Sequence, residues 1–341
     1  MSDALSSIEL FNSASIPYGL VLCGAARRLA GVTYREFATN PAATAESYLC
    51  SYEKFGGSIL AWTDLSIEAA DFGQKMIYPE ESTPHPDYSD PLIKDVSDYR
   101  KLRKIDIKNA KRMQGVLETI RLVVNSKRFE GGSITSLCLG PMAVLNMMRG
   151  ARHFLRDCFL YPREVMAGME IVTEVLVAYV EALADAGLMS VALDTLLASW
   201  SGVSRKTWEK IEGPFVRELA GAIRKKQRIV FIHNCGDGPY FDSQITFMEP
   251  MAISFAELPD DCKDRKALKE KYGSQVVLVG NISTPILSWG TPEAVKAHCR
   301  SIIEDLAPGG NFVLAPGCEF PPNGPFENAW AIIEAAREYQ V

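Results

Sequence analysis

Apolar residues fall along this chain in short unbroken runs rather than in alternation with polar ones. "GSILAW" at 57–62, "SITSLCLG" at 133–140, "LMSVALD" at 188–194, "RIVFIH" at 228–233, "MAISF" at 251–255, "QVVLVGN" at 275–281 and "NFVLAPG" at 311–317 each have the length of one strand. Runs of this kind suit strands covered on both faces, as in a parallel sheet. Between them lie stretches with helical spacing, such as 163–187 and 291–310. The second opens with Thr-Pro-Glu, a helix start, and closes with Pro-Gly-Gly, a stop. Repeated strand and helix units predict a parallel sheet, either closed as a barrel or open and doubly wound.

The residues that end each run separate the two. Reading off the position or two after each gives Asp64, Pro141, Asp194, His233 with Cys235, Glu257, Asn281 and Cys318. Chemically capable side chains at many strand ends are the arrangement of a (β/α)8 TIM barrel, whose active site is assembled there. No glycine-rich dinucleotide fingerprint or P-loop follows the first run, which weakens the nucleotide-binding alternative. The expected organisation is one barrel domain over 1–341 with an N-terminal helical extension. A proline- and acid-rich stretch near 78–107 reads as an irregular excursion before the second strand.

Composition removes several function classes. The 341 residues carry a net charge of −6, with lysines and arginines scattered between acids. Nucleic acid and anionic membrane surfaces are therefore not expected partners. The first twenty residues lack the basic and apolar regions of a secretory signal, and no apolar run is long enough to span a bilayer. A cytoplasmic protein is expected. Eight cysteines without a disulfide-type spacing fit a reducing compartment, where the exceptions to simple burial are metal ligands or nucleophiles.

His233 and Cys235 form an H-x-C turn directly after a strand, and Cys318 follows the last run, 318 − 235 = 83 residues on. That distance rules out a zinc finger, whose ligands come in close pairs. In a barrel the two loops could converge over the mouth, and one histidine with two cysteines would leave one tetrahedral position of a catalytic zinc open. The same residues also suit a core histidine beside buried thiols, and the spacing leaves both readings open. Asp194 ends an apolar strand, where an acid without a partner would be costly to bury.

Three segments carry a resemblance to a known family: "IHNCG" at 232–236, "VGNISTPILSWGTPEAV" at 279–295 and "LAPGCEFPPNGPFENAWAIIEAAREY" at 314–339. Together they resemble the uroporphyrinogen decarboxylase superfamily. Within it they are most similar to the zinc-dependent, corrinoid-linked methyltransferases that include the methylcobalamin:coenzyme M enzymes. The resemblance implies a zinc ion held by His233, Cys235 and Cys318, and a methyl group exchanged with cobalamin carried by a separate corrinoid protein. The small-molecule methyl donor or acceptor would be a thiol such as coenzyme M first, with a methoxyarene or methylamine next. Glu257 would supply a displaceable fourth ligand, and Asp194 would orient His233 or meet the substrate. Asp64 and Asn281 are expected in the cleft, and Gly236 and Gly317 would let backbone approach the metal. Trp62, Trp200 and Tyr240 would suit an aromatic substrate. Arg27 and Arg28 stand where the decarboxylases hold a carboxylate-rich tetrapyrrole, without the decarboxylase pattern around them. They read as surface charges or as a grip on an anionic substrate. The alternative within the superfamily is a metal-free decarboxylase acting on a porphyrinogen. No cobalamin-binding Asp-x-His-x-x-Gly signature occurs in the chain, and the remaining six cysteines are expected to be structural.

Overall fold

All seven apolar runs become strands of one sheet in the computed structural model, which describes residues 15–339. They are β1 (Ser58–Ala61), β2 (Ser133–Leu139), β3 (Ser190–Asp194), β4 (Ile229–Asn234), β5 (Ala252–Phe255), β6 (Val277–Ile282) and β7 (Phe312–Pro316). Neighbours in sequence are neighbours in the sheet, and every pairing is parallel. The sheet curls on itself, since Leu60 of the first strand and Val313 and Ala315 of the last line the same interior as Phe231 of the middle one.

Seven strands, not the eight of the sequence expectation, make up this sheet among the described residues. Between its two edges runs an extended segment tied to β7 by a parallel bridge, Tyr18 to Leu314. Gly19 N donates to Leu314 O at 2.9 Å, and Tyr18 Oη donates to Phe55 O at 3.0 Å, just before β1. The apolar stretch 16–23 carries this segment and buries Ile16, Leu20 and Leu22, although it is not among the runs expected to form strands.

Helices cover the outside of the sheet. Among the described residues three precede β1: Cys23–Ala30, Tyr34–Thr39 and Pro41–Phe55. Thr33 and Glu36 form a reciprocal capping box at the start of the second, and Asn40 caps the third ahead of its first-turn proline. The expected N-terminal helical extension is thus present from Cys23 onward, while residues 1–14 lie outside the described part. The long helix Pro162–Asp185 buries Val172, Leu176, Val180 and Leu183 against the sheet and its neighbours. Each such side chain taken from water contributes about 1.5–3 kcal/mol. Thr291 caps Pro292–Leu306 as the Thr-Pro signal predicts, its hydroxyl accepting from Ala294 N at 3.3 Å.

The stretch near 78–107 is more ordered than an irregular excursion. Met76–Ile77 and His85–Pro86 pair as a short antiparallel ribbon, and Asp95 caps a 3-10 turn at Val96–Lys101. Thr83, His85, Pro86 and Tyr88 from this stretch face the interior of the curled sheet.

Candidate functional site

The interior of the sheet is hollow. A cavity of about 600 Å³ runs from Ser133 and Met251, at the beginnings of their strands, to Asp194, His233, Cys235 and Cys318 at the far ends. Side chains on alternate strand positions line it, and many are small: Ser190, Ala192, Ala252, Ser254 and Ala315. Small residues at inward positions leave unfilled the space that bulky branched residues occupy in a packed barrel.

At the carboxyl ends of the strands the two distant pieces of sequence meet. The ligand atoms of His233, Cys235 and Cys318 all lie within 4.8 Å of one another, the one such cluster of metal-binding type among the described residues. Local structure explains the H-x-C turn. Asn234, between the two ligands, is fully buried, and its amide nitrogen donates to Thr195 O at 3.0 Å and Ala198 O at 3.1 Å. Its oxygen accepts from Gly236 N at 3.0 Å, so one side chain fixes the turn and ties the loops after β3 and β4 together. A Cβ on Gly236 would lie 2.4 Å from Ser199 Oγ, and one on Gly317 would lie 2.6 Å from Ala256 Cα. Both glycines admit a neighbouring loop, which is a different service from the approach to a metal that the sequence suggests.

Strand register supplies the partner that orients the histidine. Asp194, His233 and Ser254 are paired across β3, β4 and β5. His233 Nδ1 lies 3.1 Å from Ser254 Oγ, which leaves Nε2 for a metal. Ser254, not Asp194, therefore holds the ring, while Asp194 accepts from Leu196 N at 3.0 Å and lines the cavity. The only sequence signal for Ser254 is a hydroxyl inside the apolar run "MAISF".

The electrostatics fit a thiolate-rich centre. Burial alone would lower the pKa of His233, but its hydrogen bond with Cys318 and the charge of Asp194 outweigh burial and raise it. The hydrogen bond from Cys235, helped by His233, holds the Cys318 thiol far below its ordinary range, and the same bond together with burial pushes Cys235 up. The pair behaves as one thiolate accepting from one thiol. Burial raises Asp194, with the His233 charge opposing it. Glu319, next to Cys318, is pushed up to about 8, chiefly by burial, although Gly24 N donates to it at 2.8 Å. Glu319 lines the cavity, and only its position beside Cys318 marks it in the sequence.

Other expected site residues lie elsewhere. Asp64 is fully buried in an ion pair with Arg112 and also accepts from Thr63 Oγ1 and Ser66 N, so it has no free face for a substrate. Glu257 is exposed and stands outside the ligand cluster. Tyr240 is in the core, its hydroxyl donating to Val203 O at 3.0 Å and its ring under Arg205. Trp200 is 66% exposed and packs over Gly238. Asn281 donates to Ala256 O at 3.0 Å and braces the loops rather than lining the cavity. Trp62 does line it. Arg27 is buried among Gly24 O, Pro322 O, Asn323 Oδ1 and Glu81, and Arg28 donates to Gly324 O above the Phe326 ring. Of the six remaining cysteines, Cys23, Cys138, Cys158 and Cys299 are buried and Cys50 and Cys262 half-buried. Among the described residues no helix is long and apolar enough to cross a membrane.

The model of the family described as uroporphyrinogen decarboxylase matches residues 14–339. The chain is 26% identical over 235 residues to the methylcobamide:CoM methyltransferase MtaA of Methanosarcina barkeri, covering 69% of this chain and 66% of that protein. It is 23% identical over 250 residues to the methylcobamide:CoM methyltransferase MtbA of Methanosarcina acetivorans, covering 73% of this chain and 70% of that protein. A solved structure of a methyltransferase from Methanosarcina mazei superposes with a TM-score of 0.79 at 22% identity, over 94% of this chain and 93% of that one, and so shares its fold.

Proposed function

The chain belongs to the uroporphyrinogen decarboxylase family, and from that premise we propose that it is a zinc-dependent enzyme moving a methyl group between the corrinoid of a separate protein and a small substrate. The observation that carries this reading is the convergence of His233, Cys235 and Cys318 within 4.8 Å at one end of an open cavity. One imidazole and two sulfurs suit zinc, and three protein ligands leave a position for substrate. Bound there, zinc would ionise a thiol near neutral pH or draw charge from a methylated heteroatom.

The chain's own residues prepare the site. Ser254 sets the ring of His233, Asn234 fixes the turn that presents Cys235, and Glu319 anchors the segment after Cys318 to Gly24 N. Asp194 stands at the cavity wall, where it can meet a substrate. The segment at Tyr18 takes the place of an eighth stave in this reading, completing the barrel between β7 and β1. A corrinoid protein would approach the end of the cavity where the three ligands lie, because its cobalt must reach the atom that carries the methyl group.

Elemental analysis of dialysed protein tests the proposal. Wild type should hold roughly one zinc ion per chain, and Cys318→Ala should lose the metal and methyl transfer together. Zinc-free wild type, or full turnover by Cys318→Ala, would overturn the reading and bring forward the metal-free decarboxylase.

A further inference from the structure

The charge of the cavity wall selects among substrates. Among the described residues that line the cavity there is no lysine and no arginine, while Asp194 and Glu319 both face it. Residues 1–14, outside the described part, also contain neither cation. Three arginines are committed elsewhere. Arg27 is only 3% exposed and surrounded by four acceptors, Arg28 is held by Gly324 O, and Arg112 is paired with Asp64. Two thiolate ligands would also cancel the charge of a divalent ion, so the loaded centre adds no net attraction for an anion.

The remaining wall is largely apolar, with His85 and several serine and threonine hydroxyls set into it. Leu60, Trp62, Leu137, Met147 and Phe231 present hydrocarbon and aromatic surface along its length. A sulfonate or carboxylate entering here would shed its hydration and meet no lysine or arginine, only the imidazoles of His85 and His233. An uncharged aromatic ring would exchange water for that surface, and the volume of about 600 Å³ is ordinary for a ligand of substituted-arene size.

We infer that the methyl-bearing substrate is a neutral, largely apolar methyl ether of the methoxyarene class, lying inside the curled sheet with its heteroatom toward His233, Cys235 and Cys318. Anionic thiols of the coenzyme M type and carboxylate-rich tetrapyrroles are thereby disfavoured. The methyl group in this statement rests on the methyltransferase reading, whereas the preference for an uncharged ligand rests on the wall alone.

Calorimetric titration of the metal-loaded protein with guaiacol, a neutral methoxyarene, and with methylthioethanesulfonate, an anion, tests the inference without requiring turnover. Guaiacol should bind at least tenfold more tightly. Sulfonate binding of equal or greater strength, or no guaiacol binding at millimolar concentration, would overturn it. Phe231→Ala should weaken guaiacol at least tenfold with unchanged circular dichroism and zinc content, and undiminished affinity would place the ligand elsewhere and so refute the inference. Zinc content in the same preparations keeps the two readings apart. Full zinc with a preference for sulfonate defeats the substrate class alone, and absent zinc with a preference for guaiacol defeats the methyltransferase reading alone.

Discussion

Ser254 and His233 face each other on adjacent parallel strands, with the serine hydroxyl 3.1 Å from Nδ1 of the imidazole. A ligand histidine whose second nitrogen is tied in this way is fixed in both orientation and tautomer, and loss of such a partner typically costs ten- to a hundredfold in metal affinity. Ser254→Ala should therefore weaken zinc binding by about that factor while leaving the fold intact. Chelator competition reads the affinity directly, and an unchanged constant would mean that the hydroxyl does not position the ring.

The apo protein should reveal which cysteine is ionised. Cys318 is held far below the ordinary thiol range by its hydrogen bond from Cys235. Its alkylation rate should be nearly flat between about pH 6 and 8, where an ordinary thiol would gain about tenfold per unit. Mass spectrometry of protein treated with iodoacetamide should find Cys318 labelled first, with zinc protecting it. Preferential labelling of Cys235 would reverse the assignment.

Asp64 should matter for stability and not for substrate. Its carboxylate is fully buried against Arg112, and removing one partner of a buried pair strands the other at a cost of about 3–5 kcal/mol. Asp64→Asn should lower the denaturant midpoint accordingly and leave zinc content unchanged. A normal midpoint with lost ligand binding would restore Asp64 to the cleft.

Glu68 should impose a pH dependence on stability. Burial raises its pKa to about 7, and although Leu139 N donates to one oxygen at 3.0 Å, the other has no partner. The folded state then binds a proton more tightly than the unfolded chain, so this residue's contribution is best below the ordinary carboxylate range. It falls as pH rises to about 7 and stays low above. Glu68→Gln should be more stable than wild type at pH 8 by about 1–3 kcal/mol and close to it at pH 5. Parallel denaturation curves with no such crossover would show that the carboxyl is solvated or neutralised.

The placing of the strands was legible because each is buried on both faces, and burial writes itself as an uninterrupted apolar run. His233, Cys235 and Cys318 were legible for a related reason, since in a parallel sheet every strand end points to the same side. Ser254 was not, because its meeting with His233 depends on the register between β4 and β5, and nothing within either run states that register. Asp64 was read as a cleft residue because its counter-ion stands 48 positions away on the helix Lys111–Val124. Tyr240 and Trp200 follow strands whose loops fold back on one another through the Ser199–Pro239 bridge, which turns one ring into the core and leaves the other on the surface. The seating of the ribbon near His85 over the interior likewise depends on contacts far apart in the chain.

The order in which the ligands occur along the chain also bears on biosynthesis. During translation His233 and Cys235 emerge as a pair, and Cys318 appears only after another 318 − 235 = 83 residues, carried by the strand that completes the sheet. A nascent chain thus offers the cell's metal pool two donors and no closed centre until that last strand has docked. On the proposed zinc reading, metal capture would be a late event in maturation, and a bound ion would mark a polypeptide folded through its final stave.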